Sequence, residues 1–150
     1  YTQRSGHLST HSGEVSFPGG KADEKDSSLF WTALRESNEE ISLKSKDVTE
    51  LGKLNYLISR HKIEVNPFVA SVDQPQTLKP NEEIQEIFTV PLDFLLDPIN
   101  IKREIIERHG GVWQVPTWTI KDQKIWGLTA MITVNFLNVC FDANIEILEG

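Results

Sequence analysis

Three glutamates crowd the C-terminal end of one predicted helix, directly behind an arginine. The helix should begin after Ser27 or Ser28 and run to about Ile41, and after Arg35 it carries Glu36, Glu39 and Glu40. At about 100° per residue, the three carboxylates lie within roughly a 100° arc of the helix surface. The cluster costs stability, because Glu36 and Glu40 are a like-charge pair one turn apart and the end of a helix is already partly negative. A bound cation would offset this cost.

Divalent metal binding is the chemistry that such a cluster favours. Hard cations such as Mg²⁺ and Mn²⁺ prefer carboxylate oxygens and also bind phosphate oxygens. Gly19 and Gly20 lie just upstream, where the backbone can approach a ligand closely, and the Gly20 carbonyl could add an oxygen. These residues predict a metal site at Glu36, Glu39 and Glu40, with a glycine carbonyl as a further oxygen ligand. A solvated acidic helix face is the alternative that the cluster alone leaves open.

Composition limits the classes of protein that fit. The chain has 150 residues, and we expect one domain, residues 1–150, around a single core. The net charge of −7 argues against a nucleic-acid partner, and no apolar run approaches the roughly 20 residues of a membrane helix. The single cysteine, Cys140, allows no internal disulfide and fits a soluble intracellular protein. The first residues resemble the end of a strand, so we expect a chain trimmed at its N-terminus.

The elements that must position the acidic helix alternate in type along the chain. A strand at 13–17 and the breaker PGG precede the helix, which Ser27 or Ser28 should cap and which should run to about Ile41. The sequence then predicts one short helical turn at 91–98. It also predicts a helix at 128–141, with an apolar stripe formed by Leu128, Met131, Ile132, Val139 and Cys140. Further strands are expected at 51–59, 62–72, 84–90, 101–107 and 112–120, with a hairpin turn at 121–123. The pattern predicts an α+β fold with a mixed sheet between helices.

The acidic helix and the loop before it resemble the Nudix box, G-x5-E-x7-R-E-U-x-E-E-x-G-U, where U is aliphatic. Residues 35–40, RESNEE, reproduce the core spacing, and Gly20 matches the leading glycine. Asp26 falls where the first glutamate belongs if one residue is inserted before the arginine. Ser37 and Ser42 replace an aliphatic residue and the late glycine. The resemblance implies the α/β/α sandwich of Nudix hydrolases.

Residues 2–20 resemble an additional motif of Nudix coenzyme A diphosphatases, L-L-T-x-R-S-x3-R-x3-G-x3-F-P-G-G. The matching residues are Thr2, Arg4, Ser5, Gly13, Phe17, Pro18, Gly19 and Gly20. Ser9 departs from the motif, because it stands where the family has a second arginine. The strings PNEEIQEIFTVPLDFLL and KIWGLTA are also similar to this subfamily, and the resemblance is closest to its peroxisomal coenzyme A and acyl-coenzyme A diphosphatases.

The resemblance implies a small-molecule substrate, coenzyme A or acyl-coenzyme A, whose diphosphate is hydrolysed to 3′,5′-ADP and 4′-phosphopantetheine or its acyl form. Glu40 and Glu39 would be catalytic metal ligands, and Arg35 would orient the glutamates. Glu83 would add a ligand or a general base, with an inert charged loop as the alternative. Contacts to the substrate would come from Arg4, Ser5, Gly13 and Lys21. The cofactor would be Mg²⁺ or Mn²⁺, held by Glu36, Glu39, Glu40 and the Gly20 carbonyl.

Two other functions stay open beside this one. A Nudix hydrolase of the same design could act on another nucleoside diphosphate derivative, such as ADP-ribose or a dinucleotide. A catalytically silent coenzyme A-binding module could also use the same fold, although the box carboxylates it would be expected to lose are present. The resemblance implies a peroxisomal location, with cytoplasmic or mitochondrial placement as alternatives, and it is compatible with a homodimer.

Overall fold

The computed structural model describes residues 1–6, 13–73, 75–108 and 110–149, so that Ser9 lies outside the described residues. The chain divides into two compact units. The first consists of Tyr1–Leu54 and Asn66–Thr89, and the second of Asn55–Val65 and Val90–Gly150. The prediction of a single domain is not tested by this division and stays a prediction.

Helices and strands alternate along both units. The helices are α1 (Leu29–Ile41), α2 (Leu92–Leu96) and α3 (Gly127–Phe141). The strands are β1 (Thr2–Arg4), β2 (Val15–Ser16), β3 (Val48–Lys53), β4 (Leu57–Ile58), β5 (Glu64–Val65), β6 (Phe68–Val72), β7 (Ile84–Ile87), β8 (Lys102–Arg108), β9 (Gly111–Ile120), β10 (Gln123–Ile125) and β11 (Leu148–Glu149). In the part of the chain that is described, no helix is both long and apolar enough to cross a membrane.

The first unit contains a three-stranded sheet with the order β2-β1-β7 and a two-stranded sheet of β3 and β6. Helix α1 contacts β7, so the acidic helix and the central strand β1 share one neighbour. The β1–β7 register shifts after Gln3, which pairs with Glu86, whereas Arg4 pairs with Ile84. Such an irregularity commonly redirects a side chain beside a functional site. Here it falls at Arg4, a predicted substrate contact.

Helix α1 begins and ends at serines whose backbone is not helical. The Ser28 hydroxyl accepts a hydrogen bond from the Trp31 N–H at 3.1 Å, as an N-cap should. Ser42 closes the helix in the left-handed region, with a φ of 59°. The Nudix box has its late glycine at this position, and glycine adopts this conformation at the least cost. Ser42 therefore retains the helix stop without the usual residue.

The second unit is built around β9, which pairs with β8, β10 and β11 and packs against α3. Strands β4 and β5 form a separate hairpin in this unit. Trp118 of β9 is fully buried, and its indole N–H donates to the Leu95 carbonyl at 3.1 Å. The remaining buried apolar residues of this unit are Leu95, Val115, Ile125, Ala130, Val134 and Leu137.

The α+β class and the two long helices are confirmed, but three details differ from the expectation. The strand predicted at 51–59 is two strands, β3 and β4, which belong to different units, and the strand predicted at 62–72 is likewise split into β5 and β6. Every strand pair formed by the described residues is antiparallel, so the mixed sheet is not seen among them.

The buried face of α3 was predicted wrongly. Val139 and Cys140 of the expected apolar stripe are exposed. The buried residues are instead Thr129, Ala130, Thr133, Val134 and Leu137. Because α3 carries apolar residues around its whole circumference, periodicity does not select one face. The hydroxyl of Thr133 can be buried because it donates to the Thr129 carbonyl one turn earlier, at 2.9 Å.

Candidate active site

The three glutamates of α1 differ sharply in their surroundings. Glu40 is only 7% exposed, Glu36 is half-buried, and the Glu39 side chain is 56% exposed. The Gly19 N–H donates to Glu40 Oε2 at 3.1 Å. Burial raises the pKa of Glu40 above its ordinary value, and the nearby Glu36 and Glu83 carboxylates act in the same direction, against the Gly19 hydrogen bond and the Arg4 charge. Glu40 is therefore the buried acid of the cluster.

Arg35 holds the other two glutamates. Its Nη1 donates to Glu36 Oε1 at 2.9 Å and to Glu39 Oε1 at 3.2 Å. Its Nη2 donates to the Lys21 carbonyl at 2.9 Å, which ties the loop before α1 to the same guanidinium. Arg35 and Glu39 thus form an ion pair one helical turn apart. One arginine fixes two carboxylates and the connecting loop at once.

Asp26 anchors this arginine. Arg35 donates to Asp26 in a bidentate pair, from Nε to Oδ1 at 2.9 Å and from Nη2 to Oδ2 at 3.0 Å. The Asp26 side chain is only 4% exposed and also accepts from the Thr32 hydroxyl at 2.8 Å and the Asp23 N–H at 2.9 Å. The Arg35 hydrogen bond and these donors hold the pKa of Asp26 well below its usual range. Asp26 thus stays ionised and keeps Arg35 in place.

Gly20 lies close to the acidic helix. A Cβ at this position would lie 2.5 Å from Oε2 and 2.6 Å from Oε1 of Glu36, which leaves no room for a side chain. The Glu36 carboxylate therefore lies directly against the backbone whose carbonyl was predicted as a metal ligand. Glycine leaves the Glu36 carboxylate in place, and space rather than backbone conformation favours it here, since Gly20 does not lie in the left-handed region.

Gly20→Ala should displace the Glu36 carboxylate without unfolding the chain, because the group in its path is the far end of a flexible side chain. We expect turnover to fall by about tenfold, the low end of the effect of misplacing a metal-ligand environment. The control is Gly52→Ala, where an added Cβ meets nothing within 4 Å. Steady-state kinetics on both variants test this, and equal rates for the two would contradict it.

Glu83 and Arg4 meet at the end of β1. Arg4 Nη2 lies 3.9 Å from Glu83 Oε2, a loose ion pair, and the Glu83 side chain is 54% exposed. The buried Nε of Arg4 has no hydrogen-bond acceptor among the residues that the structure describes. Both charges act on the pKa of Glu40, so the three residues lie near one another. The site therefore combines a cation with a spare donor and two carboxylates.

A segment at residues 79–83 joins Glu83 to the end of α1. The Lys79 N–H donates to the Ile41 carbonyl at 3.0 Å, and the Asn81 N–H donates to the Glu40 carbonyl at 2.9 Å. These bonds satisfy two of the carbonyls that every helix leaves unpaired at its C-terminus. Pro80, which lacks an N–H, falls between the two donors. The backbone of the acidic helix and the backbone of the Glu83 loop are thus directly connected.

The other predicted substrate contacts occupy structural positions. Ser5 is 7% exposed, and its hydroxyl donates to the Glu82 carbonyl at 3.0 Å. Gly13 has a φ of 73° and donates its N–H to the Arg4 carbonyl at 3.1 Å, which closes the β1–β2 connection. Lys21 contributes its backbone carbonyl to Arg35. A role for Ser5, Gly13 and Lys21 in binding substrate stays a prediction.

The candidate ligand atoms are of the types that bind a hard divalent cation, although they do not form a complete metal site among the described residues. Among the described residues, no group of three histidine, cysteine, aspartate or glutamate side chains is arranged to hold a metal ion. The reason is visible in the contacts: Glu36 and Glu39 accept from Arg35, and Glu40 accepts from Gly19. All the candidate ligands are nevertheless carboxylate or carbonyl oxygens, the ligands that Mg²⁺ and Mn²⁺ prefer.

Burial of Glu40 should leave a signature in the stability of the metal-free protein. Because its native pKa is raised above the ordinary value of 4.5, the native state retains this proton at pH values where the unfolded chain has lost it. The free energy of unfolding therefore decreases as pH rises from 4.5 through the native pKa. Glu40→Gln removes this contribution, so the variant should gain stability relative to wild type across that window. Urea unfolding at several pH values measures the difference, and curves that stay parallel would contradict it.

Three supporting residues were not among the predicted site residues. Thr32 and Asp26 hold Arg35, and Asn81 connects the two acidic segments. The sequence already places Asp26 at the first acid of the box, six residues after Gly20, but it assigns Asp26 no role. Asn81 carries no signal in one sequence, because its bond to the Glu40 carbonyl is set by the packing of separate segments.

Comparison with protein families identifies the class that this site belongs to. The model of the NUDIX domain matches residues 1–116. The chain therefore belongs to the Nudix hydrolase family, enzymes that act on phosphorus-containing anhydrides and generally use divalent cations such as Mg²⁺ or Mn²⁺. The predicted family is confirmed.

Individual relatives are similar over most of the chain. The uncharacterized Nudix hydrolase NudL of Yersinia enterocolitica is 42% identical over 135 residues, which cover 87% of this chain and 68% of the relative. The mitochondrial coenzyme A diphosphatase NUDT8 of Homo sapiens is 40% identical over 138 residues, covering 89% and 58%. Nudix hydrolase 15, mitochondrial, of Arabidopsis thaliana is 36% identical over 148 residues, covering 94% and 52%. For the human and Arabidopsis relatives, the matched part is thus between half and two thirds of their length.

Proposed function

We propose that this chain hydrolyses the diphosphate bond of coenzyme A or acyl-coenzyme A to 3′,5′-ADP and 4′-phosphopantetheine or its acyl form. The observation that carries the proposal is the 40% identity to a human protein named as a coenzyme A diphosphatase, over 89% of this chain. The site supports it physically. Arg4 has a buried N–H without an acceptor among the described residues and lies beside Glu83, where a phosphate group could accept from it.

The residues of the site would have separate roles in metal binding and in orienting the ligands. Glu36, Glu39, Glu40 and the Gly20 carbonyl would hold Mg²⁺ or Mn²⁺, which when bound lowers the pKa of a water molecule and offsets negative charge on phosphate oxygens. Arg35 would not touch the substrate, because its donors are engaged with carboxylates and the Lys21 carbonyl. Its role is to fix the directions of Glu36 and Glu39.

Glu83 is the proposed acceptor of the proton that the attacking water loses. Its side chain is 54% exposed and therefore reachable by water, whereas Glu40 is buried and accepts from Gly19. Arg4 lies next to Glu83, 3.9 Å away, and would bind a phosphate oxygen beside it. A positioned base of this kind typically contributes a factor of about 10²–10⁴ in rate.

Identification of the products tests the proposed substrate. The protein is incubated with Mg²⁺ or Mn²⁺ and, in parallel, with coenzyme A, ADP-ribose and NADH, and the products are separated by chromatography. We expect 3′,5′-ADP from coenzyme A at the highest kcat/KM of the three substrates. A strong preference for ADP-ribose or NADH would overturn the choice of substrate. Tight binding of coenzyme A without turnover would instead identify a silent binding module.

The location that we expected from the closest resemblance is not supported. The human and Arabidopsis relatives are both named as mitochondrial, and none of the relatives described above is named as peroxisomal. For a source cell that has mitochondria, we therefore propose that compartment. The homodimer stays a prediction, which the molar mass from light scattering would test.

A further inference from the structure

Ser5 attaches the end of β1 to the loop that carries Glu83. Its N–H donates to the Glu83 carbonyl at 2.8 Å, and its hydroxyl donates to the Glu82 carbonyl at 3.0 Å. Ser5 is 7% exposed, so its hydroxyl is buried and its proton is already committed to a protein acceptor. A substrate phosphate would have to compete with this bond, which makes a direct contact unfavourable.

Glu83 is held from a second direction by Asn81. The Asn81 side-chain oxygen accepts from the Glu83 N–H at 3.0 Å, while the Asn81 N–H donates to the Glu40 carbonyl at 2.9 Å. The backbone of Glu83 is therefore fixed at its carbonyl by Ser5 and at its N–H by Asn81. These bonds connect it to both β1 and the C-terminal end of α1.

The side chain of Glu83 needs this fixation because little else directs it. It is 54% exposed, and its ion pair with Arg4 is 3.9 Å long. An exposed, loosely paired carboxylate samples several rotamers, so its alignment with a reacting water depends on where the backbone places it. Loss of the Ser5 hydroxyl would release one of the two bonds from Ser5 to this loop.

We infer that Ser5 is a positioning residue for Glu83 rather than a contact for the substrate, an inference that rests on the proposed function of this site. It assigns the serine of the T-x-R-S sequence at residues 2–5 to the geometry of the acidic loop. The substrate-binding part of that sequence would then be Arg4, whose Nη2 lies 3.9 Å from Glu83 Oε2.

The kinetic test is Ser5→Ala, alone and combined with Glu83→Gln. We expect kcat for coenzyme A to fall by about tenfold with KM unchanged, because the phosphate contacts remain while the base loses alignment. In the Glu83→Gln background, Ser5→Ala should have little further effect on kcat, since the two act through one group. A raised KM at constant kcat, or an equal fold-change in both backgrounds, would overturn the inference.

The matched control is Thr2→Val on the same strand. Thr2 is buried, and its hydroxyl also donates to a backbone carbonyl, that of Ser16 at 3.1 Å, but it makes no bond to the Glu83 loop. Thr2→Val should therefore cost stability while kcat stays at the wild-type value. Asn81→Ala serves as a second route to the same loop and should lower kcat with KM unchanged, even if Ser5→Ala folds poorly.

Hydrogen exchange separates this inference from the proposed function. In the metal-free protein, Ser5→Ala should speed exchange of the residue-5 amide, which donates to the Glu83 carbonyl, relative to the wild type and Thr2→Val. Unchanged exchange would overturn the inference whatever the substrate is. Absence of coenzyme A turnover in the wild type would instead overturn the proposed function and leave the exchange result intact.

Discussion

Glu40→Gln should nearly abolish turnover, lowering kcat by roughly 10²–10⁴-fold, the range of a well-positioned catalytic group. Gln has the same shape and keeps an oxygen that can accept from the Gly19 N–H, so the contacts seen at 3.1 Å can persist. What disappears is the carboxylate of a residue that is only 7% exposed. The rate with saturating Mn²⁺ and coenzyme A measures the effect.

A loss of activity without a loss of stability is the specific outcome expected for Glu40→Gln. Burial already disfavours the ionised carboxylate, so a neutral replacement should unfold no more easily than the wild type at neutral pH. Glu50→Gln is the matched control, because Glu50 is an exposed acid on β3 of the same unit. Wild-type turnover in Glu40→Gln would remove Glu40 from the catalytic residues.

Arg35→Lys should lower kcat by about 100-fold, the upper end of the effect of changing a residue that orients ligands. The guanidinium donates to Asp26, Glu36 and Glu39 and also to a backbone carbonyl. A lysine has a single ammonium on a flexible chain and cannot reproduce the bidentate geometry toward Asp26. Glu36 and Glu39 would then lose their common donor although the net charge is unchanged.

Arg103→Lys is the matched control for this exchange. Arg103 lies in the second unit, where its Nη1 donates to the Glu146 carbonyl at 2.8 Å. The same chemical change there should leave kcat within about twofold of the wild type, as surface substitutions usually do. If Arg35→Lys retained full activity, the ion pairs of Arg35 would be structural only. The melting temperature of Arg35→Lys should fall as well, because buried Asp26 loses its partner.

The acidic helix shows which structural features can be predicted from one sequence and which cannot. Its boundaries, the Ser28 cap and the Arg35–Glu39 pair follow from local rules that act within a few residues. The exposure of Glu39 and the burial of Glu40 do not follow from such local rules. Adjacent residues on a helix point about 100° apart, and which direction is inward depends on strands that come from elsewhere in the chain.

Long-range attachments were the main part of the site that could not be predicted. Ser5 meets Glu82, 77 residues later, and the sequence carries no local sign of that bond. The strand expected at 51–59 is split for a similar reason. The pattern of apolar residues does not indicate that its two halves belong to different sheets. The coarse chemistry was nevertheless predictable, because the box residues lie close together in the chain.

The bonds that connect residues 79 and 81 to the end of α1 use main-chain atoms on both sides. Exchange of the Lys79 side chain should therefore be well tolerated, whereas Asn81 is restricted because its side chain also accepts from the Glu83 N–H. Removing one residue is a different matter, because it would shift every later donor by a position and carry Glu83 out of reach. Insertions and deletions should accordingly be poorly tolerated here.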